Sequence, residues 1–159
     1  MSHPVNVYIY TGFKMMTTKL SFASLLLRLG LGLTLLSAVA DRFGIWSQQL
    51  SSWGNWDGFL EYTAEVNSFA PAGAVPFLAA AATVLEIIFG LLLITGYQTR
   101  LAATGTALLT LLFGLAMAYS FGIKSPFDYS VFVDCTAAFL LACIPAYPWS
   151  LDRLIGRRK

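Results

Sequence analysis

Three charged side chains sit inside long apolar runs of this sequence: Arg28 in the run 20–40, Glu86 in 75–95 and Asp134 in 130–149. A charge at bilayer depth costs at least ~2.5–3.5 kcal/mol on insertion scales, so each needs a partner or a function. Counting a rise of about 1.5 Å per residue, Arg28 lies about 12 Å from the inner start of its run. Glu86 lies about 13.5 Å from the inner end of its own. Opposite charges at matching depth predict a buried ion pair between Arg28 and Glu86. It is either a bridge that fixes helix register or a site for a proton or ligand.

A second polar group gathers at the opposite ends of the apolar runs: Asp41, Arg42, Tyr119, Lys124, Asp128 and Asp134. Asp134 is about 6 Å below the start of its run, with Lys124 as its first candidate partner and Arg42 as its second. These six residues line a pocket at the outer mouth, or they form an ordinary interfacial charge belt. Other chemistries find no footing. His3 is the one histidine, and no metal-ligand cluster, nucleophile elbow or Gly-rich phosphate loop is present. Cys135 and Cys143 are eight residues apart on one predicted helix, about 12 Å along its axis, beyond disulfide reach. They read as packing residues, and no catalytic residue is assigned.

The elements that hold these residues follow from composition. Of 159 residues, 57% are apolar and 11% charged, against about 45–50% and 25% in soluble domains. A soluble enzyme, a nucleic-acid binder and a disordered chain are thereby excluded, and the net charge of +2 gives no case for a polyanionic partner. The four apolar runs, 20–40, 75–95, 101–119 and 130–149, approach the ~20 residues a membrane helix needs. The first is not a signal peptide, because Arg28 interrupts it and Asp41-Arg42 stands where a cleavage site would be.

Basic residues (Lys14, Lys19, Arg100, Arg153, Arg157, Arg158 and Lys159) mark one side, which places both termini in the cytoplasm. The chain divides into a cytoplasmic arm 1–19, a four-helix transmembrane domain 20–149 and a basic tail 150–159. The arm includes an upstream extension if Met15 or Met16 is the start. The short link Gly96-Tyr97-Gln98-Thr99-Arg100 forces an antiparallel hairpin, and short connections favour a four-helix bundle. In the long outer connection 42–74, Phe59, Leu60, Thr63 and Val66 share a helical face beside Trp46, Trp53 and Trp56. That predicts a short amphipathic helix, capped by Asn55, lying across the outer mouth as an anchor or a lid.

Leu27-Arg28-Leu29-Gly30, the run from Thr83 through Glu86 and Gly90 to Gly96-Tyr97-Gln98-Thr99-Arg100-Leu101-Ala102-Ala103, and Lys124-Ser125-Pro126-Phe127-Asp128-Tyr129-Ser130 resemble the DoxX family over about residues 20–148. The resemblance implies a small four-helix protein of the bacterial cytoplasmic (inner) membrane. The family is named for a subunit of a thiosulfate:quinone oxidoreductase. The expected function is that of a non-catalytic membrane subunit of a redox or respiratory-type assembly. It would contact lipids and other membrane or periplasmic subunits and hold a quinone or lipid. The alternative is a small transporter handling a proton or solute.

Overall fold

The computed structural model describes residues 5–156, with side chains from Thr18 onward. His3, Lys14, Met15, Met16 and the tail residues Arg157, Arg158 and Lys159, with the expectations attached to them, lie outside the described side chains. The described secondary structure is helical: α1 (Val5–Arg42), α2 (Trp56–Val66), α3 (Val75–Thr95), α4 (Thr99–Phe121), α5 (Lys124–Asp128), α6 (Val131–Cys143) and α7 (Leu151–Gly156). α1 packs along α3, the α3–α4 link is a tight turn, α4 packs along α6, and α6 returns to α1. The four apolar helices thus close a ring. α1, α3 and α4 are each long and apolar enough to cross a membrane. Leucines and phenylalanines such as Leu33, Phe77, Leu108 and Phe139 cover the outer surface, as expected of a multi-pass membrane protein.

α6 is shorter than the predicted run 130–149. Its 13 residues span about 20 Å, against a hydrocarbon core of ~30 Å. The helix stops because Ile144 precedes Pro145, whose ring disfavours helical backbone one residue back. Ile144 is extended, with φ −67° and ψ 129°. The irregular segment that follows is tied to protein. The Tyr147 hydroxyl donates to the Leu141 carbonyl at 2.9 Å, and Arg100 Nη2 donates to the Ile144 carbonyl at 3.4 Å. Non-helical backbone is tolerated at membrane depth under such conditions.

Between the helices, the end of the bundle that carries the α3–α4 turn is close-packed. Leu93, Ala102, Ala103, Ala138 and Leu141 are fully buried there, and small side chains let α4 and α6 approach closely. Gly96 ends α3 in the left-handed region at φ 69°, and the N–H groups of Gly96 and Tyr97 both donate to the Leu92 carbonyl. Arg28, 1% exposed, lies against this turn. It donates through Nε to the Leu93 carbonyl (3.0 Å), through Nη2 to Ile94 (3.2 Å) and through Nη1 to Trp149 (3.2 Å). A cation suits the partial negative charge at the C-terminal end of α3. Asp152 of α7 accepts from the Gln98 and Thr99 N–H groups at 2.7 and 2.8 Å, covering the start of α4. One buried arginine and one carboxylate therefore fasten α1 and the segment 149–152 to the end of α3 and the turn into α4.

Candidate functional site: a cavity under α2

The opposite end of the bundle is hollow, and α2 closes it. Asn55 caps α2 as predicted, accepting from the Gly58 N–H at 2.9 Å, and Phe59, Thr63 and Val66 are its buried face. At its far end Ser120 of α4 donates to the Val66 carbonyl at 2.6 Å and pairs with Ser68 at 2.8 Å. Trp53 packs on Phe59 and Tyr62 with ring centroids 5.1 and 5.5 Å apart. Beneath this roof lies a cavity of about 410 Å³, walled by apolar side chains of α1, α3 and α4, among them Leu35, Leu78, Leu109 and Phe113. Its volume falls in the range of small-molecule sites, ~300–1,000 Å³. The ionisable side chains in its wall are Arg42, Glu86, Asp134, Tyr62 and Tyr129.

Arg42 and Glu86 form the buried ion pair. Arg42 Nη1 is 2.6 Å from Glu86 Oε2, and Nη2 donates to Oε1 at 2.9 Å, with both side chains 3% exposed. Thr83 spends its own hydroxyl proton on the Ala79 carbonyl and accepts from Arg42 Nη1 at 2.8 Å. The guanidinium carbon is 3.8 Å from the centroid of Phe59 and 5.3 Å from that of Trp53. Arg42 Nε is buried with no acceptor among the described residues.

The pair predicted between Arg28 and Glu86 is therefore corrected to Arg42 with Glu86. The cause is geometric. Helical side chains lean toward the N-terminus of their own helix, and α1 and α3 run antiparallel. Arg28 leans toward the turn and Glu86 toward α2, so equal Cα depth carries them apart. Arg42, a helical end away from Arg28, leans down onto Glu86.

The six-residue outer group also separates. Arg42 and Asp134 line the cavity. Asp41 instead holds the loop before α2, accepting from the Ser51 hydroxyl and from the Ser52 and Trp53 N–H groups at 2.8 and 3.1 Å. Tyr119 is 71% exposed and packs edge-on against Phe69. Lys124 pairs with Asp128 on the surface of α5, at 2.5 Å, and not with Asp134. Gly122, at φ 89°, turns the chain out of α4 so that α5 closes its own i,i+4 pair. Tyr62, Trp53 and Tyr129 went unselected, although Tyr62 follows Phe59 by three residues, the spacing of one helical face. Both cysteines are free, and Cys135 donates to the Ala107 carbonyl at 3.3 Å.

The DoxX family model matches residues 23–119, from the middle of α1 to the end of α4. The chain belongs to the DoxX family. No curated protein and no solved structure matches it. The DoxX match takes in Arg28, Arg42, Glu86 and Gly96, hence the buried ion pair and the glycine turn with its arginine, but not Trp149 or Asp152. It ends before Lys124-Ser125-Pro126-Phe127-Asp128-Tyr129-Ser130, which the sequence resemblance had included, and before Asp134.

Proposed function

We propose that this DoxX-family protein is a non-catalytic membrane subunit that holds a quinone in the cavity under α2 and serves a redox-type assembly of a bacterial inner membrane. The cavity itself carries the reading: about 410 Å³ of apolar space ending on a buried arginine whose Nε has no acceptor. The Tyr62 hydroxyl, also in the cavity wall, offers a quinone carbonyl a donor. Burial holds the Tyr62 phenol above its ordinary value, with Tyr129 and Glu65 adding to the effect, so the donor proton is retained. Leu85 and Leu112 line the cavity while 38% and 55% exposed, which gives an apolar tail a route between α3 and α4 toward lipid. The transporter alternative gains no support, because α1, α3 and α4 run unbroken past the site.

Titrating the detergent-solubilised protein with a short-chain benzoquinone is expected to quench tryptophan fluorescence saturably, since Trp53 lines the cavity. Ala82→Phe, which adds a ring inside the wall, is expected to abolish saturation. Linear quenching that is identical in both proteins would count against the reading.

We further place the α3–α4 turn in the cytoplasm and α2 outside. Lys19, Arg100 and Arg153 lie toward the turn end, whereas Asp57, Glu61, Glu65 and Asp128 lie at the other. With Cys135 and Cys143 replaced by alanine, a single cysteine at Gln49 should react with an impermeant maleimide in intact cells, and one at Tyr97 should not. The reverse pattern inverts the topology.

A further inference from the structure

This inference rests on the quinone reading and asks which form of the molecule the cavity prefers. Two carboxylates face the space, and their situations differ. Glu86 is met by Arg42 through two contacts under 3 Å. The Asp134 carboxylate has neither a hydrogen-bond donor nor a cation within salt-bridge distance among the described residues. Lys124 is committed to Asp128 on the surface. The wall thus holds one cation against two carboxylates, with one carboxylate unmatched.

The remaining polar groups are less selective. The hydroxyls of Tyr62 and Tyr129 can donate or accept, and so serve a carbonyl or a hydroxyl equally. The Arg42 guanidinium is committed to Glu86 and Thr83, and the Asn67 amide is already bonded to the Thr63 carbonyl at 2.9 Å. Held in its ionised form, as this reading requires of Asp134, a carboxylate only accepts. It gains a charge-assisted bond from an O–H donor and repels the lone pairs of a carbonyl. At the ring oxygens a quinone presents acceptors alone, whereas a hydroquinone adds two O–H donors.

We infer that the cavity binds the hydroquinone more tightly than the quinone, with Asp134 accepting a hydrogen bond from one ring hydroxyl. The expected preference is tenfold or more. By linkage, a tenfold preference for the reduced form raises the midpoint potential of the bound two-electron, two-proton couple by about 30 mV. Bound quinone is then a better electron acceptor than quinone free in the membrane.

The test uses the full-length protein in mild detergent under argon, titrated separately with a short-chain benzoquinone and with its hydroquinone by calorimetry. Wild type is expected to favour the hydroquinone at least tenfold. Asp134→Asn, whose amide both donates and accepts, should bring the ratio close to one without weakening quinone binding. Asp134→Glu should keep the preference. Equal affinity of wild type for the two forms overturns this inference and leaves the quinone site standing. So does an unchanged ratio in Asp134→Asn. Failure of wild type to bind either form removes the quinone site, and the inference with it.

Discussion

Replacing Glu86 with leucine strands the Arg42 guanidinium where 3% of its side chain meets solvent, and the unfolding free energy is expected to fall by ~3–5 kcal/mol. Arg42→Met strands Glu86 in the same way and does further damage. It also removes the donor to Thr83 and the cation under Phe59 and Trp53, so the roof over the cavity loosens. The double replacement, Arg42→Met with Glu86→Leu, leaves no unmatched charge and is expected to be more stable than either single variant. Thermal unfolding in detergent, run as a double-mutant cycle, reads the coupling directly. Additive losses, with the double variant worse than both singles, would mean that the two side chains do not act as a pair.

The second large effect is expected at the turn. A Cβ on Gly96 would sit 2.6 Å from Ser150 Cβ and displace the Arg28 guanidinium, on a backbone already in the left-handed region. Left-handed backbone costs an L-residue roughly 1–2 kcal/mol, and a displaced arginine forfeits hydrogen bonds worth about 1.5–3 kcal/mol. Gly96→Ala should therefore destabilise by about 3 kcal/mol or more. Gly96→Asn separates the two causes. Asparagine tolerates the backbone but still brings a Cβ, so it should recover little of the loss. Stability close to wild type in Gly96→Asn would show that the conformation, and not the space beside Arg28, demands glycine.

What the sequence displayed and what it concealed divide along physical lines. The start of α2 and its buried face were legible because their signals are local: an asparagine cap, an apolar face at helical spacing and tryptophans around it. The hairpin at Gly96 was legible for the same reason. The extent of α6 was misjudged because hydropathy measures composition, and the apolar run continues past Pro145 although helical hydrogen bonding does not. The ion pair was misassigned because depth was counted along Cα positions, without the opposite lean of side chains on antiparallel helices. Asp41 and Arg42, adjacent in sequence, were placed in one pocket. One residue is about 100° of helical turn, which is enough to send the carboxylate to the loop and the guanidinium inward. Lys124 was assigned to Asp134 across a loop, while a partner four residues away on its own helix was nearer.

The contrast between the two ends of the bundle has a mechanical meaning. At the turn, α1, α3, α4 and α7 are clamped by Arg28, Asp152 and close-packed alanines, so the helices behave as beams built in at one end. At the other end they surround open volume and are bridged by an eleven-residue helix held through a handful of polar contacts. A beam fixed at its base deflects most at its tip. By this geometry a molecule entering the cavity would bear on the free ends of the helices and on α2, the element that lies outermost.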